Sequence, residues 1–263
     1  MADKKNQPKA SIEKRYTIDK RVYHIIEKKK DGFKEDFEAF YPSVTSIADA
    51  TEPKNPFLEQ FKAEEVQSKG IDGARFALYM AAERGTSVHK AIEDYNRGLD
   101  LHWYSKEEGD EMEKKNFDDF EWKRICNYME WHAESAPEFI ELETELYSKE
   151  WGYAGTVDAI AKIGGNLVIC DWKSGKDVYD KYRLQIAAYW NAYREMTGKE
   201  CDAAVILAVG ARTRKGWKAV TMNSEDLESW FKKFQTRINF YYEMNPKADF
   251  APKRDLLPVS FSH

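Results

Sequence analysis

The sequence predicts an α/β fold, a central mixed β-sheet flanked by helices, with a mainly helical region on its N-terminal side. Three observations carry this. Gly164-Gly165 separates two apolar, alternating runs, and a glycine pair suits the φ > 0 positions of a two-residue hairpin turn. The apolar run AAVILAV and the strand-like WKAVTM lie on either side of the short polar stretch ARTRKG. Segments with apolar residues at helical spacing stand before, between and after these strands.

Taken in order, residues 1–38 are polar and lysine-rich, and a frayed start followed by a short strand or two is expected within EKRYTIDKRVYHII. Residues 39–138 read as mainly helical. After Pro42, Ser43 or Thr45 stands near a helix start, and NPFLEQFKAEEVQSKG reads as a helix ended by Gly70. Ala77, Leu78, Ala81 and Ala82 precede a stripe of Val88, Ala91, Ile92 and Tyr95, again at helical spacing. The polar stretch 96–116 reads as an insertion, and Phe117 to Ser135 as an amphipathic helix. The sheet core is expected over 139–222, beginning with a strand in which Ile140, Leu142, Thr144 and Leu146 alternate with glutamates. RLQIAAYWNAYREM is a helix within it. Residues 223–244 form a C-terminal helix starting near Ser224, with Leu227, Trp230, Phe231, Phe234, Ile238 and Tyr241 at helical spacing. The tail 245–263 carries three prolines and reads as irregular. The 263 residues and 42% hydrophobic content suit a single domain with one large core or a core plus a helical lobe.

No run approaches the ~18–20 apolar residues of a membrane span, and MADKKNQPKA lacks the apolar segment of a secretory signal, so an intracellular protein with no membrane partner is expected. Cys126, Cys170 and Cys201 are odd in number and far apart, which excludes a disulfide framework and a closed zinc site.

Functional chemistry concentrates in the hairpin. If Gly164-Gly165 forms the turn, Asp158 lies directly opposite Asp171, and period 2 puts Lys173 on the same face. Asp171 and Lys173 alone would be an ordinary surface ion pair. Two acids facing each other across strands repel unless a cation neutralises them, so Asp158 shifts the reading towards a site. Oxygen ligands from acids suit Mg²⁺ or Mn²⁺, the hard cations that serve phosphodiester hydrolysis, and Lys173 is placed to orient water or meet the phosphate. The preceding strand adds one glutamate, with its register open. His89 borders the apolar stripe of its helix. It reads either as a buried histidine bonded to backbone or as a metal ligand better suited to Mn²⁺ than to Mg²⁺. Gln185 and Tyr189 stand four apart and share a helix face.

Net charge is −5, and the basic residues cluster. Lys173, Lys176, Lys181 and Arg183 form one group; Arg212, Arg214, Lys215 and Lys218 form another, in a loop able to project towards a nucleic acid strand. Trp172, Tyr179, Tyr182 and Trp217 are aromatic candidates for base stacking.

The elements RGTSVHKAIE, the Glu143 strand, GYAGTVDAIAKI, VICDWKSGK and LQIAAYW, in this order and starting from YPSVTSIAD, resemble the PD-(D/E)XK nuclease superfamily and within it the RecB-like exonuclease branch. The resemblance covers roughly Tyr41 to Met222. It implies a restriction-endonuclease-like core in which His89, Asp158, Asp171 and the backbone carbonyl of Trp172 bind Mg²⁺ or Mn²⁺, with Lys173 catalytic. Glu143 occupies the place of the family's first-strand glutamate, or Glu145 if the alignment slips by two. Gln185 and Tyr189 match the QxxxY pair that positions substrate. Val157-Asp158 stands where many relatives carry Pro-Asp, which leaves the ligand in place. The iron–sulfur cluster of some relatives would need four cysteines.

The implied activity is exonucleolytic hydrolysis of DNA, with a preference for single strands or free ends, in replication, repair or recombination. Arg212, Arg214 and Lys215 are candidate DNA contacts, and a replication or recombination protein is the protein partner class this implies. An endonuclease, structure-specific or guided by a partner, would share every catalytic residue. A non-catalytic DNA-binding protein is the remaining rival and would have no need of the full set of acids and lysine. Cytoplasmic location is expected for a bacterial or phage protein, and oligomeric state is open.

Overall fold

The computed structural model describes residues 9–16, 21–28, 35–52, 56–105 and 114–246. Strands β1 (Lys9–Tyr16), β2 (Arg21–Lys28) and β3 (Glu35–Pro42) form an antiparallel sheet in that order. Three strands therefore stand where one or two were expected, and the third enters the stretch read as helical. Tyr23 and Ile25 alternate inward and pack with Tyr41. The many charged residues around them mask that period in the sequence.

Ser43 follows β3, bridges in parallel to Ala154, and caps α1 (Val44–Thr51), its hydroxyl accepting the Ser46 amide at 3.0 Å. Helix α2 (Pro56–Asn96) is broken at Gly70, whose φ of 72° and ψ of 173° only glycine adopts readily. The chain then continues as helix to His89 and beyond. A two-residue ladder, β4 (Tyr104–Ser105) with β5 (Lys114–Lys115), precedes α3 (Asp119–Ser135), which opens with a capping box between Asp118 and Glu121.

The main sheet contains β6 (Glu138–Ser148), β7 (Tyr153–Ile163), β8 (Asn166–Lys173), β9 (Ala203–Ala208) and β10 (Lys218–Asn223), in the spatial order β10-β9-β8-β7-β6. Only β8 and β9 are parallel; the connection between them needs a crossover, and α4 (Asp180–Thr197) provides it. Helix α5 (Ser224–Met244) follows β10 directly. Its N-cap is Asn223 rather than Ser224, with Asp226 completing a capping box.

Helices cover both faces of the sheet. Ile160, Ile169 and Ile206 point into the layer formed with α1, α4 and α5, while Val168, Cys170 and Leu207 point into the layer formed with α2 and α3. Two-sided burial explains why β8 and β9 read as nearly continuous apolar runs. Among the described residues no helix is long and apolar enough to cross a membrane. The tail beyond residue 246 and positions 106–113 of the expected insertion lie outside the described residues.

Candidate active site

The hairpin turn is the expected one, with φ of 58° at Gly164 and 85° at Gly165. It sets the register Ile160 to Ile169 and Ala159 to Cys170, so the next pair across is Asp158 and Asp171. Regular β7–β8 pairing stops at that point. The Asp158 carboxylate instead accepts the amide of Trp172 at 2.5 Å through Oδ2, and the side chain takes over the backbone's role where the strands part. Parity then decides the surroundings. Trp172 packs on Tyr128 and Trp131 of α3, at ring distances of 5.3 and 5.1 Å, whereas Asp171 and Lys173 face α4.

A chain of contacts follows from that placement. Lys173 Nζ lies 2.6 Å from Asp171 Oδ2 and donates to Gln185 Oε1 at 3.1 Å. Gln185 Nε2 in turn donates to the Tyr189 hydroxyl at 2.9 Å. The i, i+4 spacing on α4 makes this last contact possible. Tyr189 lies against Gly155 of β7, close enough that a Cβ there would collide with the ring. From the other side, His89 Nδ1 stands 3.6 Å from Asp158 Oδ1. The structure thus brings together His89, Asp158, Asp171, Lys173, Gln185 and Tyr189.

The two acids are driven apart in acidity. Burial pushes Asp171 up to about 6, partly relieved by Lys173 and reinforced by the neighbouring Asp158 charge. Asp158 is also penalised by burial, but His89 and Lys173 hold it below the usual carboxylate range. Burial pulls His89 down; the facing Asp158 outweighs it, and the imidazole ends raised. Burial likewise opposes the Lys173 charge, and the Asp171 and Asp158 carboxylates more than restore it. A pair of carboxyl groups with environments that separate their acidities is a common arrangement in acid–base chemistry.

Asp171 Oδ2 is buried and takes no hydrogen bond of good angle, only the ion pair with Lys173. Such an oxygen, beside a second carboxylate, has the chemistry of a hard-cation ligand. Among the described residues, no three His, Cys, Asp or Glu side chains stand close enough together to hold a metal ion. His89 faces Asp158 and Lys173 occupies Asp171, so each acid already has a side-chain partner.

On β6, Leu142 pairs with Ala159 and Thr144 with Val157, which puts Glu143 level with Asp158, while Glu145 pairs with Thr156. Glu143 has φ of 51°, a left-handed conformation that costs a non-glycine residue about 1–3 kcal/mol. The strained residue of this strand therefore lies at the level of the acids. Arg212, Arg214 and Lys215 are exposed on the loop joining β9 to β10. Its base is tied to the segment after Lys173, through Val209 N–H to Lys173 O at 2.9 Å and Gly210 N–H to Gly175 O at 3.1 Å. Lys215 pairs with Glu134 at 2.5 Å and Lys218 with Asp177 at 2.7 Å, which leaves Arg212 and Arg214 as the cations of this loop without an ion pair among the described residues.

Three supporting residues escaped the sequence reading. Arg124, buried on α3, donates from Nε to Ser174 O at 2.8 Å and from an Nη to Phe120 O at 3.0 Å, its guanidinium lying 3.2 Å from the Phe120 ring centre. Asn127, one turn on, donates to Val209 O at 2.7 Å and Gly216 O at 2.9 Å. Gly155 supports Tyr189. These are contacts across long stretches of chain, and the local sequence carries no signal for them beyond polar residues placed on an otherwise apolar helix face.

Comparison with known proteins agrees with this geometry. The family model of the PD-(D/E)XK nuclease superfamily matches residues 60–255. Two curated relatives, the mitochondrial genome maintenance exonuclease 1 of Xenopus tropicalis and that of Mus musculus, are each 30% identical over 165 residues, 57% of this chain. The chain spans less than half of their length, 42% and 44% respectively. The match of the family model across most of the chain, on a mixed sheet flanked by helices, shows that this chain belongs to the PD-(D/E)XK nuclease superfamily.

Proposed function

We propose that the protein is a metal-dependent DNA exonuclease that hydrolyses phosphodiester bonds from DNA ends, with a preference for single strands, in replication, repair or recombination. The observation that carries this reading is the meeting of Asp158, Asp171 and Lys173 where β7 and β8 part. The relatives' name as exonucleases supports attack from an end.

Although His89, Asp158 and Asp171 do not stand as a ready three-ligand cluster, they and the Trp172 carbonyl are the groups that would hold Mg²⁺ or Mn²⁺. When bound, such a cation supplies charge neutralisation at the phosphate and a more acidic water. Asp171 must be ionised for this, so its raised pKa makes the site responsive to cation binding. Lys173, held by Gln185, presents a fixed positive charge where negative charge develops on the phosphate, without reorganising during the reaction. Gln185 and Tyr189 hold that lysine and position substrate, and Glu143 supports the attacking water. Arg212, Arg214 and Lys215 receive the DNA backbone. The assignment implies an intracellular enzyme, cytoplasmic if the source is a bacterium or phage.

The test compares wild type with Asp171→Ala and Lys173→Ala on end-labelled linear single-stranded DNA, linear duplex and closed single-stranded circles, with Mg²⁺, Mn²⁺ or chelator. Metal-dependent loss of linear DNA with intact circles, abolished in both variants, is expected. Cleaved circles would replace the exonuclease by an endonuclease, and full activity in both variants would remove the site.

A further inference from the structure

Tyr179 and Tyr182 form an aromatic step beside Lys173. The Tyr182 ring centre lies 4.8 Å from Lys173 Nζ, and Tyr179 packs against Tyr182 at 5.7 Å with the ring planes inclined by 63°. The segment carrying Tyr179 is held on both sides. Val178 is buried and its amide is bonded to Asp177 Oδ1 at 2.8 Å, Asp177 itself pairing with Lys218. The Tyr182 amide bonds back to Tyr179 O at 3.0 Å. Tyr179 occupies the N-cap of α4 yet contributes no side-chain cap, and its side chain is left with the residue 49% exposed. Neither phenol makes a hydrogen bond among the described residues. An aromatic ring on a tethered stretch of backbone thus lies open to solvent, packed on Tyr182 and one ring removed from the lysine that would meet the phosphate.

We propose that Tyr179, backed by Tyr182, is a nucleobase subsite that receives the face of a base in the strand whose scissile phosphate lies at Lys173. The inference rests on the proposed DNA substrate. It goes further by assigning base stacking to two residues outside the acid and lysine set. Lys173 above one ring and exposed Lys176 nearby supply the positive charge that follows a backbone, and the exposed ring supplies the stacking surface, the pairing of features that binds single strands. Because every base presents a π-face, the subsite is sequence-neutral and requires an unpaired base.

The experiment measures binding by fluorescence anisotropy in chelator and cleavage kinetics in Mg²⁺. Wild type, Tyr179→Ala and Tyr179→Trp are compared on a single-stranded oligonucleotide and on matched oligonucleotides with an abasic site moved along the strand. Loss of one stacked base weakens binding by roughly tenfold. Tyr179→Ala is expected to weaken binding and raise KM by that factor on normal DNA with kcat nearly unchanged. One abasic position should impose the same loss on wild type and no further loss on Tyr179→Ala, and Tyr179→Trp should keep wild-type behaviour. Equal losses on normal and abasic strands, or no loss at all, would overturn the subsite and leave the nuclease intact. Stacking-dependent binding without cleavage by wild type would instead overturn the exonuclease and retain the subsite; absence of binding would remove both.

Discussion

Replacing Gly155 by alanine tests how the lysine is held. The new methyl would stand 3.1 Å from both Cζ and the hydroxyl oxygen of Tyr189 and closer still to Cε1, inside contact distance. Tyr189 is 3% exposed, with little room to retreat. Overpacking of this kind costs about 1–3 kcal/mol, and for a domain of this size each kcal/mol lowers Tm by about 2–4 °C, so a fall of about 2–12 °C is expected. Displacing the ring also disturbs the 2.9 Å bond to Gln185 and through it the 3.1 Å bond to Lys173. A shift of about 1 Å at a positioned group lowers turnover by up to about 100-fold. Thermal unfolding and DNA turnover are measured on Gly155→Ala, Tyr189→Ala and the double variant. The clash disappears once the ring is removed, so the double variant should be more stable than the sum of the single losses by about 1 kcal/mol or more. A Gly155→Ala protein with unchanged Tm and turnover, or strictly additive losses, would refute the chain from Gly155 to Lys173.

Arg124→Met is expected to lower stability by about 1.5–3 kcal/mol, because Ser174 O and Phe120 O lose a charged donor, and chemical denaturation reads this directly. Removing the His132 imidazole tests a pH effect. Burial lowers its pKa below the ordinary value, so folding favours the neutral ring. Its protonation therefore destabilises the protein as pH falls below the usual imidazole range; Tm measured against pH should drop there in wild type and flatten in His132→Phe. Burial raises all three thiols, Cys201 to about 12, so native protein at pH 8 should alkylate slowly and unfolded protein quickly, as mass spectrometry would show. Asp171→Asn should retain the fold and lose at least about 100-fold in metal-dependent DNA cleavage; near wild-type rates would remove the carboxylate from the reaction.

Much of the sheet core was legible because its signals are local. A glycine pair dictates its own turn, a two-residue turn dictates register, and register with period 2 places Asp158 opposite Asp171 and Lys173 beside it. Helix α4 was legible for the same reason, since spacing of four puts Gln185 and Tyr189 on one face. The first strands were harder to read, because charged residues between Val22 and Tyr41 obscure which positions turn inward.

The sequence by itself therefore determined the residue types of the site, the hairpin that pairs them and the faces they occupy, all from interactions within a few residues or across one turn. Only the tertiary structure decided that pairing ends at the acids, that His89 comes within 3.6 Å of Asp158, and that Arg124 and Asn127 tie α3 to the backbone around Lys173 and the β9–β10 loop. It also separated the basic loop into Lys215, neutralised by Glu134, and Arg212 and Arg214, which are not. Those outcomes depend on contacts between residues far apart in the chain, whose distances are set by packing of whole layers rather than by any local preference.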